Sequence, residues 1–466
     1  MNAGMNSTMT GLALFCRLII VCTWLLQSRL CFDSYESSPA SDQYLPLTIE
    51  EDRVLAVQPY CQILLTESIP INLTYTRGSP RFISTYFAWR LLLDVAKEDV
   101  NIASFYWSLL AEPKYNASSS DQGLEIFHTL LSKAAQLNLS IEQSGPQKAD
   151  SHIDQLLTAG STVYWVDVAG MLGQGVLHTK LWTVDQKHAY VGSANMDWRS
   201  LTQVKELGAL MLNCPELVND LDKIHGAYRL ASKGLPKYWP PELTTKYNVS
   251  NPFQLAVNGI KSRVYFSGSP TNFNAPGRTN DLDAILNTIN RATKFVYISV
   301  MDYIPEIRKY DNSTTGQYWP DIDVALKLAA VDRGVEIRLL ISHWKHSSSN
   351  MPKHLISLRS LNGVHGARIR IRYFVVPSVT KDQQSIPFAR VNHNKYMVTD
   401  KTAYIGTSNW SGDYFLYTGG VGFVYEKEDE SHETAKNESE PHTVRDYLEE
   451  IFLRDWNSEH AYEEWD

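Results

Sequence analysis

The chain has 466 residues, with 43 Lys and Arg against 51 Asp and Glu for a formal net charge of −8; 44% of it is hydrophobic and 20% charged. That balance excludes a disordered, collagen-like or low-complexity protein and provides for a substantial buried core. It also disfavours a protein that coats duplex DNA, because phosphate affinity comes from clustered Lys and Arg, so any polyanion should be held at a local basic site. At roughly 150 residues per domain, the length allows two or three domains.

From the N-terminus, residues 18–26 are apolar and follow Arg17, the pattern of a signal peptide. Read more broadly, residues 12–32 form a short signal anchor, and a buried core helix is the bland alternative. Export into the secretory pathway is expected, with residues 1–35 as leader. Six Asn-x-Ser/Thr sequons, at Asn72, Asn116, Asn138, Asn248, Asn312 and Asn437, suit lumenal exposure and glycosylation. Of five cysteines, Cys16, Cys22 and Cys31 lie in or beside the leader. Cys61 and Cys214 remain, either as one disulfide in an oxidising lumen or as two unrelated buried thiols.

After the leader the same order of elements occurs twice. In the first half, a helix at 88–96 leads to a strand at 100–107. A helix at 124–137 follows, then strands near Leu139 and at 162–168, and then the segment 178–195. In the second half, a helix at 282–292 leads to a strand at 295–301, a helix at 324–330, strands at 335–342 and 369–376, and the segment 393–409. Strands alternating with helices predict an α/β fold of two similar domains with mixed sheets, at 36–240 and 241–466. The proline-rich stretch 236–252 is the expected connection, and the acidic stretch 426–441 a solvated loop. Tyr447, Leu448, Ile451, Phe452 and Trp456 recur at helical spacing, predicting a final helix packed on the second domain.

Each half carries His-x-Lys with an Asp five residues after the Lys: His178, Lys180 and Asp185 in HTKLWTVD, then His393, Lys395 and Asp400 in HNKYMVTD. Each is followed by Gly and Asn, as GSAN ending at Asn195 and GTSN ending at Asn409. Alternation along a strand places His178 and Lys180 on one side and Thr179 on the other. If the halves pack about a pseudo-twofold axis, two His, two Lys and two Asn meet in one pocket, which suits a phosphodiester. Lys and Asn side chains hold the non-bridging oxygens as phosphorus becomes five-coordinate. One neutral imidazole attacks phosphorus to give a phosphohistidine; the other protonates the leaving oxygen and then serves as base for water. The two imidazoles must differ in protonation, so their surroundings should push their pKa values apart. No metal or other cofactor is expected, since no Cys-x-x-Cys or His-Glu-x-x-His pattern occurs. Phe105, Tyr106, Trp107, Trp198, Tyr303 and Trp410 are candidates to stack on unpaired bases, with core packing as the alternative.

These residues resemble the paired motifs of the phospholipase D superfamily. More narrowly, the chain is similar to members three and four of the phospholipase D family, the endolysosomal 5′ exonucleases. The similarity runs from about residue 61 to residue 456. It includes ASFYW at 103–107, GVLHTK at 175–180, GSANMDWRSLTQVKELG at 192–208, YWP at 318–320, ARVNHNKYMVTD at 389–400, GTSNWSGDYF at 406–415 and FLRDW at 452–456. The resemblance implies a Cys61–Cys214 bridge, His178 as nucleophile and His393 as proton donor. It also implies a His-orienting carboxylate eleven residues after the motif Asn, which is Glu206; the corresponding residue after Asn409 is Gly420. Glu206 is therefore expected to orient His178, with a surface helix position as the alternative, while Asp185 and Asp400 support the local backbone.

The function implied is 5′→3′ exonuclease action on single-stranded DNA or RNA, releasing 3′-mononucleotides in the endosome or lysosome lumen. An acidic lumen suits a His acid with an ordinary pKa near 6.5. Phospholipid hydrolysis or transphosphatidylation at the same site is the second enzyme reading, and a non-catalytic binding module the third, disfavoured because both motifs keep His, Lys and Asn. Expected partners are single-stranded nucleic acid or a phospholipid, the membrane through an uncleaved leader as a type II protein, and a second copy in a homodimer.

Overall fold

In the computed structural model, which describes residues 58–115, 118–308, 316–428 and 441–463, each half of the chain builds one mixed sheet. The first half contributes β1 (Gln62–Ser68), β2 (Ile83–Ser84), β3 (Asp99–Ser104), β4 (Asn138–Ser144), β5 (Thr162–Val166), β6 (Leu181–Val184), β7 (His188–Gly192) and β8 (Glu206–Leu212). Their order across the sheet is β2-β1-β8-β7-β6-β3-β4-β5.

The second half contributes β9 (Phe253–Val257), β10 (Ile260–Ser269), β11 (Thr279–Asn280), β12 (Phe295–Val300), β13 (Glu336–Ser342), β14 (Ile369–Phe374), β15 (Lys395–Thr399), β16 (Thr402–Gly406), β17 (Gly420–Lys427) and β18 (Ala461–Tyr462). Their order is β9-β10-β17-β16-β15-β12-β13-β14-β18, with β11 beside β10. Without the edge strands β9 and β18, this is the order of the first sheet. Both sheets join a parallel side, β3-β4-β5 or β12-β13-β14, to an antiparallel meander that carries the motif segment. The strands at their centres, such as β6 (LWTV), are buried at every residue, as expected where both faces are covered.

The helices repeat as well: α1 (Thr85–Val95), α2 (Asp121–Ala134), α3 (Ser151–Ala159) and α4 (Pro215–Ala231) answer to α5 (Asp281–Arg291), α6 (Asp321–Val331), α7 (Met351–Arg359) and α8 (Val444–Trp456). Their starts follow local chemistry. Ser84 caps α1 by accepting from Phe87 N at 3.0 Å, Asp150 caps α3, and Thr443 and Asp446 close a capping box on α8. Helix α8 buries Leu448, Ile451, Phe452 and Trp456 as its spacing predicts, but it does not belong to the second half alone. Phe452 stacks on Tyr297 of β12 at 4.9 Å, while Arg454 donates to Glu67 of β1 at 2.6 Å. One hydrophobic core runs from Ile63 and Met211 in the first half to Val264, Phe423 and Phe452 in the second.

Cys61 and Cys214 form a disulfide that staples the outer ends of β1 and β8. The leader, Asn116, Asn312, Asn437 and the greater part of the acidic stretch lie outside the described residues. Asn138 is exposed, and Asn72 and Asn248 are partly so. Among the described residues, no helix is long and apolar enough to cross a membrane.

Candidate active site

The two motif segments meet through reciprocal backbone bonds. His178 N donates to Gly419 O at 2.8 Å and Gly419 N to Val176 O at 2.8 Å; His393 N donates to Lys205 O at 2.8 Å and Lys205 N to Val391 O at 2.9 Å. His178 and His393 are equivalent in the repeat, as are Gly419 and Lys205, so each half gives to the other what it receives. This isologous exchange is the signature of a pseudo-twofold relation. Close approach depends on Gly175, whose φ of 94° and missing Cβ let the chain pass against the Tyr417 carbonyl. The two imidazoles end with ring centroids 6.5 Å apart.

His178 and Lys180 lie in an extended run just ahead of β6, and Lys395 opens β15. Side chains still alternate, since Thr179 turns away to bond Tyr228 OH at 2.8 Å. Each lysine folds back beneath its own histidine: Lys180 Nζ donates to His178 O at 2.6 Å, Lys395 Nζ to His393 O at 2.7 Å. Burial pushes Lys395 down to about 7, and burial together with the Lys395 charge holds Lys180 well below its ordinary value. Desolvation thus disfavours the charged form of both lysines, and repulsion adds to it at Lys180, a cost that a bound phosphate anion would offset.

Glu206 corrects one expectation. It opens β8, fully buried, and its Oε2 lies 2.8 Å from Nδ1 of His393, not of His178. Ser193 and Ser200 hydroxyls donate to the same carboxylate at 2.5 and 2.9 Å. The orienting carboxylate thus acts across the pseudo-twofold, on the histidine of the opposite half. His178 Nδ1 instead meets the Thr407 carbonyl oxygen at 2.8 Å.

Electrostatics follow this difference. Burial, then Lys180 and Lys395, hold the His178 imidazole well below its ordinary pKa. Burial also lowers His393, but there the Glu206 carboxylate opposes it by favouring the charged ring. For Glu206, burial alone would raise the pKa; His393 and Lys395 outweigh that and hold it low.

A cavity of about 460 Å³ opens over both histidines, with Asn195, Asn409, Glu206, Phe105 and Tyr106 among its walls. Asn409 Nδ2 donates to Asp302 at 3.3 Å and Tyr414 OH at 3.2 Å. Asp185 and Asp400 stand away from this cavity. Asp185 accepts from the backbone N–H of Lys97, Glu98 and Asp99 at 2.8 to 3.0 Å, and Asp400 from Thr293, Lys294 and Phe295 at 3.0 to 3.5 Å. They fix the start of β3 and β12, the supporting part expected of them, and touch no reacting atom. Among the described residues, no group of three or more His, Cys, Asp or Glu is placed to hold a metal ion.

Residues 77–379 match the family described as "PLD3/4, PLD-like domain". The chain belongs to this family. It is 44% identical over 409 residues to the 5'-3' exonuclease PLD3 of Xenopus laevis, covering 86% of this chain and 80% of the relative. It is 42% identical to both the 5'-3' exonuclease PLD4 of Mus musculus and the PLD3 of Homo sapiens, covering 86% of this chain and 79% and 81% of those proteins. Phosphatidylserine synthase of Haemophilus influenzae shares the fold, with a TM-score of 0.52 at 10% identity over 82% of this chain and 85% of that one.

Of the aromatics singled out in the sequence, this PLD3/4-type site uses Phe105 and Tyr106. The Phe105 ring packs 5.1 Å from His178, and Tyr106 OH donates to Asp197 at 2.7 Å. Trp107, Trp198, Tyr303 and Trp410 are buried in the core. The wall residues that the sequence does not single out include four that are aromatic or cationic: Arg199, Trp344, Phe388 and Tyr414. Three of them stand within two to five residues of a motif position or sit in an irregular stretch beside one, a signal available in the sequence. Trp344 had none, because it follows the end of β13.

Proposed function

We propose that this chain is a metal-independent 5′→3′ exonuclease on single-stranded DNA or RNA. Carrying this reading is the unequal pairing of the two histidines, one with a carbonyl and one with a carboxylate. A carbonyl accepts a hydrogen, so His178 keeps its proton on Nδ1 and aims an Nε2 lone pair into the cavity, as a nucleophile requires. The carboxylate stabilises a protonated His393, leaving a proton on Nε2 for a leaving group. Membership in a family whose relatives are named 5'-3' exonucleases supports the choice of substrate.

In the proposed reaction, His178 Nε2 attacks the phosphorus between the first and second nucleotides. The P–O5′ bond breaks, its electron pair leaves on the O5′ of the second nucleotide, and His393 supplies the proton. Lys180, Lys395, Asn195 and Asn409 hold the remaining oxygens as charge builds. His393 then takes a proton from water, water attacks phosphorus, and the P–N bond breaks to release a 3′-mononucleotide and restore His178. The strand is left one residue shorter with a new 5′-hydroxyl. The disulfide, the sequons and the need for a protonated His393 support work in an acidic endosome or lysosome, reached through a leader that is either cleaved or kept as a type II anchor.

The test offers the purified protein at about pH 5, below the ordinary His pKa, a 5′-hydroxyl single-stranded oligonucleotide and, separately, a phosphatidyl lipid. Stepwise shortening from the 5′ end, lost in His178→Ala, is the expected result. Turnover of the lipid alone would overturn the nuclease reading in favour of phospholipid hydrolysis.

A further inference from the structure

Five residues ahead of His393, the chain holds an aromatic ring out of the protein at a conformational cost. Phe388 is 61% exposed and has a φ of 54°, a left-handed conformation that is a true outlier for a bulky side chain. Two residues on, Arg390 repeats it at 57°. Two arginines enforce this shape. Buried Arg390 donates to the carbonyls of Pro377 and Ile71 at 2.8 and 2.9 Å and to Gln203 Oε1 at 3.2 Å. Arg199, itself locked on Asp197 at 2.9 Å, donates to Pro387 O at 2.7 Å. Ile71, Gln203 and Arg199 all belong to the first half, so the loop is pinned across the pseudo-twofold.

Core packing supplies no reason for this arrangement, because the ring it presents is left in water. Such strain persists where function requires it. One face of Phe388 stacks on His346 at 5.0 Å and 24°, and His346 meets Trp344 edge-on at 4.8 Å. Trp344 and Phe388 line the cavity that contains both catalytic histidines. The indole Nε1 of Trp344 is buried with no hydrogen-bond acceptor among the described residues.

We propose that Phe388, backed by His346 and flanked by Trp344, is the docking platform for the unpaired base of the second nucleotide, immediately 3′ of the bond that is cut. This rests on the exonuclease reading and adds to it which base is held and why the strand must be single. In-line displacement puts the leaving O5′ on the side of His393, and Phe388 belongs to the segment that delivers His393; Phe105 attends His178 instead. A base within a duplex is stacked on both faces and cannot offer one to Phe388, whereas an unpaired base can. The platform thereby selects single strands without reading their sequence.

The experiment measures the rate of the first cleavage by the full-length protein on three 5′-hydroxyl oligonucleotides: intact, abasic at the first nucleotide, and abasic at the second. Phe388→Ala should lower kcat/KM on the intact strand about tenfold, chiefly through KM, and Phe388→Tyr should restore most of it. Removing the second base should cost the wild type a similar factor, and the two losses should not add. Removing the first base should add to the Phe388→Ala loss. A Phe388→Ala protein with wild-type kinetics, or losses that fail to add only at the first position, would overturn the platform while leaving the exonuclease intact. A wild type that shortens no oligonucleotide would overturn both. Phe388→Gly keeps the left-handed backbone without strain while deleting the ring; unaltered thermal stability with the same kinetic loss would separate recognition from folding.

Discussion

In the first half, Lys205 and Glu206 stand at the entry to the strand that faces the opposite motif; at the same place the second half has Gly419 and Gly420. The motif residues themselves come in matched pairs: two histidines, two folded-back lysines and two asparagines at the site, with two scaffold aspartates away from it. In a symmetric pair of imidazoles either ring could take either part; unequal partners assign the parts to particular rings. Glu206 in place of a glycine gives a carboxylate to His393 alone. Gly420 also closes off restoration of symmetry, since even a Cβ there would crowd the hydroxyls of Ser269, Ser408 and Thr407. Lys205 extends the asymmetry inward. Its Nζ lies 2.8 Å from Asp455 and 3.8 Å from Glu67, in a buried network completed by Arg454 and by Tyr75 OH, which donates to Asp455 at 2.6 Å.

The largest expected effect concerns the histidines. His178→Ala should lower kcat by about 10⁴-fold or more, and His393→Ala by about 10²–10⁴-fold, the ordinary worth of a positioned acid. Phosphorylated protein should be trapped on mixing substrate with His393→Ala and be absent from His178→Ala; the reverse pattern would exchange the two parts. Next comes Lys205→Met, which leaves Asp455 buried with less compensation and should cost about 3–5 kcal/mol by urea unfolding. A stability change within error would mean that the network does not brace the junction.

Glu206→Gln should lower kcat/KM about 10²-fold and move the alkaline limb of its pH profile to lower pH. The sign follows from the geometry: the carboxylate favours the charged His393 ring, so without it the proton needed by the leaving group is lost sooner as pH rises. An alkaline limb that stays put would break the comparison between the halves. Smallest are Asp185→Ala and Asp400→Ala. Each removes a set of backbone hydrogen bonds and should cost about 1–3 kcal/mol by thermal or urea unfolding. The two costs should match closely, as the halves are alike there.

Much of this was legible in the sequence, because the repeat turns spacing into position. His178 and His393, their lysines and the motif asparagines converge as their equivalence implied, and the helices at 85–95, 281–291 and 321–331 begin within three residues of the periodic runs that predict them, at 88, 282 and 324. What the sequence did not carry is contact across the pseudo-twofold. Glu206 lies 13 residues from Ser193 along the chain but 187 from His393, the histidine it actually holds, and local spacing assigns it to the wrong ring. Helix α8 packs on the second sheet as its stripe implies, but the stripe does not show that it also reaches β1 of the first. Among the aromatics, strand-end position could not separate Phe105, which reaches the cavity, from Trp107, which turns into the core. Phe388 has no periodic signal in the sequence, because its exposure follows from a left-handed backbone.

The reach of α8 into both sheets also fixes an order of events in biosynthesis. Both motifs leave the ribosome before residues 444–456 do, yet Arg454 and Asp455 are what Glu67 and Lys205 close upon. A nascent chain carrying every catalytic side chain is thus still an unfinished enzyme, with its junction unlatched until α8 has been made and packed back onto β1, translated hundreds of residues earlier.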